Sequence, residues 1–176
     1  MLNYFKYTDK EKKELLKSIG ILVDTREQEN SHIINWFDSK GIVYKTKAMD
    51  QGDYSFFIPK NELLSIPRTL YFNHEIMIER KNSLEELSGN FTEGRDRFEK
   101  EMVLAPKCKS LLIENSNYID ICKGNYNTEY KKESYLPTLH TFMHRYNLPT
   151  MFMPDKEFSA IYIYYTCYYY LKEILN

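Results

Sequence analysis

The stretch Ile76-Met77-Ile78-Glu79-Arg80-Lys81 joins three aliphatic residues to three charged ones, and its reading decides the fold. Three consecutive aliphatic side chains bounded by polar residues read as a buried strand. On extended backbone Glu79 and Lys81 stand two residues apart, so they share one face about 7 Å from each other. Working outward, other acids also sit at the ends of apolar runs. Ile21-Leu22-Val23 leads into Asp24, with Glu27 close behind, and Gln51-Gly52-Asp53 opens a predicted strand over Tyr54 to Ile58. Carboxylates that terminate buried strands converge at one edge of a sheet. Buried like charges repel, so such a cluster calls for a cation or a shared proton. Oxygen ligands without Cys or His favour a hard ion, Mg²⁺ or Mn²⁺. A carboxylate ligand beside a lysine that orients or helps deprotonate a water is a layout suited to phosphodiester hydrolysis. Glu-x-Lys alone, however, is more often a solvated charge pair.

The rest of the chain supports an ordinary folded protein. It has 176 residues, 43% hydrophobic and 28% charged, which fits one domain and excludes a disordered chain. Only six Gly and six Pro argue against linker-like or repeat architectures. A net charge of −1 announces no global positive field and equally excludes no nucleic-acid partner. Cys108, Cys122 and Cys167 are widely spaced and odd in number, which points to a reducing, intracellular setting rather than a disulfide or zinc framework. The first twenty residues are too polar for a signal peptide, and the apolar run from Ile161 to Leu171 is too short to span a membrane.

The predicted elements run as follows. Thr8 or Asp9 caps a charged helix through Lys17, closed by Gly20. A helix covers Ser31 to Ser39, a strand Ile42 to Met49, and a loop or hairpin excursion Pro59 to Asn73. Ser83 caps a short helix to Leu87, with Glu86 at the capping-box position. Thr92 caps a longer one to about Leu104. Lys109 to Glu114 (KSLLIE) is a buried strand, Glu133 to Tyr146 a helix, and Thr150 to Met153 a last strand. Asp155 caps a C-terminal helix through Leu175. Strands first, then strands alternating with helices, give an α/β fold with a mixed central β-sheet flanked by helices. No internal boundary is visible, so 1–176 reads as one domain, with a helical extension over 1–20 and a core over 21–176.

Four blocks in order resemble the XPF/Hef family of structure-specific endonucleases, whose nuclease domain has a restriction-endonuclease-like PD-(D/E)xK core. Val23-Asp24-Thr25-Arg26-Glu27 resembles the family's V-D-x-R-E, Gly52-Asp53-Tyr54 its G-D-Y, and Ile78-Glu79-Arg80-Lys81 its E-R-K. Leu84, Leu87, Gly94-Arg95 and the KSLLIE strand follow at the expected spacing. The resemblance implies a divalent-metal-dependent DNA endonuclease, excision-repair-type, acting on flap, fork or other branched DNA in repair or recombination. It implies Asp53 and Glu79 as central metal ligands, Asp24 and Glu27 supporting them, and Mg²⁺ or Mn²⁺ as the ion. Lys81 would orient the attacking water, and Arg80 would steady the backbone or approach the phosphate. Arg95, together with Arg97 and Lys100 on the same predicted helix, would reach DNA.

The sequence also departs from the family. Glu85 stands where E-R-K-x-x-x-D ends in Asp, Glu99 where a glutamine follows Gly-Arg, and the segment between Asp53 and Glu79 is longer than usual. No helix-hairpin-helix module follows, which leaves a stand-alone nuclease domain whose grip on DNA comes from its own surface or a partner. Tyr162, Tyr164, Tyr165, Tyr168, Tyr169 and Tyr170 crowd the last helix, an aromatic surface suited to pairing in a homodimer. His140 and His144, four apart on one helical face, lack an identifiable third ligand. Two alternatives stand beside the nuclease reading: a catalytically silent DNA-binding or scaffold subunit, and a sequence-specific restriction or mobile-element nuclease of the same fold.

Overall fold

In the computed structural model, which describes residues 6–176, the apolar runs assemble into one mixed sheet. Strand β1 (Gly20–Val23) pairs in parallel with β2 (Tyr44–Thr46) and antiparallel with β3 (Tyr54–Ile58). β3 pairs antiparallel with the two-residue β4 (Leu70–Tyr71) and with β5 (Ile76–Lys81). β6 (Cys108–Glu114) and β7 (Thr150–Met153) continue in parallel from β5. The order across the sheet is β2-β1-β3-β5-β6-β7, with β4 paired to β3.

Alternation along each strand sends successive side chains to opposite faces. One face carries Ile21, Val23, Phe56, Ile78 and Leu112. Packed on it are Leu15 of α1 (Asp9–Lys17), Ile33 and Phe37 of α2 (Ser31–Lys40), and Ile163, Cys167 and Leu171 of α7 (Ser159–Ile174). The other face carries Met77, Leu111 and Ile113 under Leu87 of α3 (Leu84–Phe91), Phe98 of α4 (Arg95–Leu104), Ile121 of α5 (Tyr118–Lys123), and Leu139 and Phe142 of α6 (Lys132–Arg145). A smaller cluster on that second face joins Leu22, Met49 and Phe57 to Tyr71, and no helix residue belongs to it.

Local chemistry explains the element ends. Thr8 and Glu11 form a reciprocal capping box at α1, with Glu11 Oε2 accepting from the Thr8 backbone N–H at 2.7 Å. Gly41 closes α2 in the left-handed conformation, φ 62°. Several expected boundaries need correction. β2 is limited to three residues, because the chain leaves the sheet after Thr46 and Met49 turns back to bond Asp24. Thr92 ends α3 instead of opening α4: its hydroxyl donates back to the Ser88 carbonyl at 2.9 Å, and Gly94 precedes the new helix. Asp155 caps a single 3₁₀ turn, Lys156–Phe158, before α7 begins. The excursion over 59–73 holds a 3₁₀ turn and β4. α5 was not expected, although Asn117 and Asp120 form a capping box in front of it. Residues 1–5 of the N-terminal extension lie outside the described residues. No described helix is long and apolar enough to cross a membrane.

Candidate active site

The strand register lines up the acids. Tyr54 pairs with Ile78, and Val23 pairs with Tyr54, so the positions one step beyond bring Asp24, Asp53 and Glu79 side by side across three strand ends. Backbone bonds fix the row: the Asp53 carbonyl accepts from Asp24 N–H at 2.8 Å, and Asp53 N–H donates to the Ile78 carbonyl at 2.9 Å. Gly52 makes the entry to β3 possible. Its φ is 76°, and a Cβ there would stand 2.5 Å from Met77 Sδ and 2.8 Å from Met77 Cβ, a side chain that is itself fully buried. Gly52→Ala is therefore expected to destabilise the fold by about 1–3 kcal/mol from backbone strain alone, read as a lowered urea midpoint.

Glu79 and Lys81 point to the same face, and Lys81 Nζ donates to Glu79 Oε1 at 2.7 Å. Glu86 Oε1 lies 3.6 Å from the same ammonium, which also sits 5.5 Å from the centre of the Phe98 ring. Burial favours a neutral amine here, but the charges of Glu79 and Asp53 outweigh it and hold the Lys81 pKa above the ordinary lysine range. These two carboxylates thus favour the ammonium form of Lys81. Asp53 is shifted upward as well, by burial first and by the neighbouring Glu79 second, although its Oδ2 accepts from the Arg80 backbone N–H at 2.7 Å. The cleft over this end of the sheet encloses about 310 Å³ and reaches Arg26, Glu27, Asp53, Lys81 and Glu86.

Arg80 lies one residue from both and points through the sheet to the opposite face. Its guanidinium is buried. Nη1 donates to Glu27 Oε1 at 2.8 Å, Nη2 to Glu114 Oε2 at 2.7 Å and to the Glu29 carbonyl at 3.0 Å. Glu114 Oε1 in turn meets His32 Nε2 at 2.9 Å. Burial raises the Glu114 pKa, and the hydrogen bonds to Arg80 and His32 help bring it below the ordinary value. Glu27 is held above its ordinary value by burial, which the Arg80 charge only partly offsets. Arg80 is therefore a clamp that ties β5 to β6 and to the turn after β1.

The expected four-carboxylate ligand set does not form. Among the described residues, no group of three or more His, Cys, Asp or Glu is arranged to hold a metal ion. Asp24 is consumed by the fold: Oδ1 accepts from Arg26 N–H at 2.9 Å and Arg26 Nε at 2.7 Å, and Oδ2 from Met49 N–H at 2.6 Å. Burial would raise its pKa, but the Arg26 and Met49 bonds hold it low. Glu27 is committed to Arg80. Asp53 and Glu79 remain, and they fit Mg²⁺ or Mn²⁺: Mg²⁺ keeps several waters and takes one or two carboxylates plus substrate phosphate. Asp53 and Glu79 share one ammonium, Lys81, and so remain a net negative pair of the kind a divalent cation relieves.

The acid at the end of the E-R-K-x-x-x-D pattern also moves. Glu85 Oε1 accepts from Asn127 N–H at 2.7 Å and pins the loop after α5, whereas Glu86 faces the cleft. Of the expected DNA contacts, Arg95 pairs with Glu99 at 2.9 Å and lies over the Phe142 ring, and Arg97 lies 3.8 Å from Glu101. Lys100 is exposed on α4. His140 bonds the Tyr118 hydroxyl at 2.9 Å. Glu114, Glu86 and His32 were not anticipated as members of this site. Glu114 carried the same signal as Glu79, an acid closing an apolar strand; His32 carried none.

Comparison with known proteins follows the same line. The model of the ERCC4 domain family matches residues 23–166. The chain belongs to the ERCC4 domain family. The matched span begins one residue before Asp24 and contains Asp53, Glu79 and Lys81, so the row of acids and the clamp around Arg80 all lie within the ERCC4 domain. Its fold is that of XPF from Aeropyrum pernix, at a TM-score of 0.58 and 18% identity over 84% of this chain and 59% of that one. A structure of XPF from Aeropyrum pernix in complex with DNA matches at a TM-score of 0.62 and 19% identity, over 87% of this chain and 65% of that one. The chain thus spans about three-fifths of the structures it matches. No curated protein matches its sequence.

Proposed function

We propose that this ERCC4 domain is a divalent-metal-dependent DNA endonuclease that cuts branched DNA of the flap or fork type. The observation that carries the reading is the pair of half-buried Asp53 and buried Glu79 at adjoining strand ends, with Lys81 bonded to Glu79 and with Asp53 and Lys81 lining one cleft. A divalent cation held by these two carboxylates would supply Lewis-acid polarisation of a phosphodiester and lower the pKa of water. The chain's own residues do the rest. Asp53 is aimed by the Arg80 backbone N–H, and Glu79 is oriented by Lys81. The Lys81 ammonium orients the attacking water and offsets charge on the phosphate. Arg26 and Glu86 flank the opening of the cleft. In the same reading residues 21–176 act as one nuclease unit. The exposed rings of Tyr165 and Tyr169 on α7 offer the surface for a homodimer.

Labelled flap, fork and blunt duplex DNA incubated with Mg²⁺ or Mn²⁺ tests the proposal, with Glu79→Gln in parallel. Metal-dependent cutting of the branched substrates, lost in Glu79→Gln, is expected. Binding without cutting by the wild type would replace the enzyme with a scaffold subunit. Lys81→Gln is expected to lower the single-turnover cleavage rate by about 10²-fold or more, as for removal of a positioned charge at a reacting group, while metal binding followed by calorimetry persists.

A further inference from the structure

On the second face of the sheet helices pack over β5 and β6. Among the described residues, the cluster over β1 and β3 is Leu22, Met49, Phe57 and Tyr71, with no helix residue in it. Gly20, Leu22 and Phe57 lie on this face, and the Phe57 ring lies across Gly20 so closely that a Cβ there would meet it at 2.4 Å. Tyr71, from the excursion between Asp53 and Glu79, packs on Phe57 with ring centroids 6.2 Å apart. Lys45 and Lys47 are two residues apart and so share a face: Lys45 Nζ donates to Tyr71 Oη at 3.1 Å, and Lys47 Nζ lies 5.3 Å from the ring centroid. Arg68 lines a groove of about 500 Å³ together with Lys47 and Tyr71, and Lys45 reaches its edge through the Tyr71 hydroxyl. All three cations are exposed. Glu75, the acid at the groove, turns toward α7, where Tyr170 Oη donates to it at 3.4 Å.

Resting on the nuclease reading, we propose that this face binds a single-stranded nucleic-acid arm, with Lys45, Lys47 and Arg68 on successive phosphates and the Tyr71 ring against a base. An aromatic ring set among exposed cations in a narrow groove is the composition of a single-strand platform, since every base has a face to stack and every linkage a charge to neutralise. The platform also leads to the cleft. Arg26, which lines the cleft, donates to the Met49 carbonyl at 3.1 Å, and the Met49 side chain packs in the same cluster as Phe57 and Tyr71. A strand leaving the cleavage site past Arg26 therefore meets Lys47 and Tyr71 next. Lysines on an edge strand also guard against unwanted strand pairing, and that role alone would need no ring and no Arg68.

Fluorescence anisotropy of a labelled oligothymidylate, beside a blunt duplex of equal length and without divalent metal, provides the test. The double variant Lys45→Gln/Lys47→Gln keeps Tyr71 and its packing. Its log–log salt slope for the single strand is expected to flatten by about 0.7 per lysine removed, with a smaller loss for the duplex. Tyr71→Ala is expected to weaken single-strand binding about tenfold or more, and Tyr71→Phe, which keeps the ring, to bind as the wild type does. Circular dichroism melts verify that each variant is folded. Unchanged single-strand affinity in the folded lysine variant, equal losses for strand and duplex, or no single-strand binding by the wild type would each overturn the proposal. Cleavage assays remain separate: a protein that binds the strand through Tyr71 yet cuts nothing refutes the nuclease reading and leaves this platform standing.

Discussion

Asp53→Asn is expected to give a protein that cuts DNA far more slowly than the wild type and is more stable than it when metal is absent. Asp53 is half-buried beside Glu79, and desolvation and that neighbour raise its pKa well above the ordinary aspartate value. A carboxyl whose folded pKa exceeds its unfolded value binds its proton more tightly in the native state. Stability is therefore lost as pH rises from the unfolded pKa toward the folded one, and at neutral pH the charge is a net cost. Asparagine keeps an oxygen to accept from the Arg80 N–H and removes the charge. The variant should gain about 0.5–2 kcal/mol in EDTA at neutral pH, with the gap closing below the unfolded aspartate pKa. Cleavage should fall on the order of 10²–10³-fold, as when a group that acts only on the transition state is removed. Mg²⁺ separates the two effects. At about a hundred times its dissociation constant it should stabilise the wild type by ~2.7 kcal/mol, or roughly 5–10 °C in melting temperature, and the variant by much less. A variant that cuts normally, or a wild type indifferent to Mg²⁺, would remove Asp53 from the metal site.

Much of this site was legible because strands advertise themselves. Ile76-Met77-Ile78 can be buried only as a strand or a helix interior, and its length chooses the strand; alternation then puts Glu79 beside Lys81, as observed at 2.7 Å. The same alternation sends Arg80 to the opposite face, yet what waits there depends on tertiary structure. Glu114 is 34 residues away and His32 lies on α2, and no local pattern announces that Glu114 takes the Arg80 guanidinium on one oxygen and the His32 ring on the other. Asp24 shows the reverse case. Its position after an apolar strand suggested a ligand, but the returning backbone at Met49 and the Arg26 side chain use both of its oxygens. Register and loop return, which sequence does not encode locally, decide whether an acid at a strand end faces a metal or braces a turn. Glu85 and Glu86 differ by one position and the helical turn sorts them, one to the α5–α6 loop and the other to the cleft.

Arg80→Leu is expected to be the most destabilising single change in the region, although Arg80 touches no reacting group. Its guanidinium neutralises two carboxylates with little or no access to water: the Glu114 side chain is 0% exposed and that of Glu27, at the cleft, 9%. Removing one partner of a buried pair leaves an uncompensated charge and destabilises by about 3–5 kcal/mol, here roughly 10 °C or more in melting temperature. The pH dependence identifies the cause. In the wild type the folded pKa of Glu114 is depressed, so its contribution is present above the unfolded pKa and lost as pH falls through the folded one. Without Arg80 both acids would sit above their ordinary values, so acidification should narrow the gap between variant and wild type by letting them take up protons. Arg80→Met combined with Glu27→Leu and Glu114→Leu, which replaces the whole network with apolar volume, should recover most of the loss. If that stable triple variant still cuts DNA poorly, the network positions Asp53 through the Arg80 backbone N–H; if it cuts as the wild type does, the clamp serves folding alone.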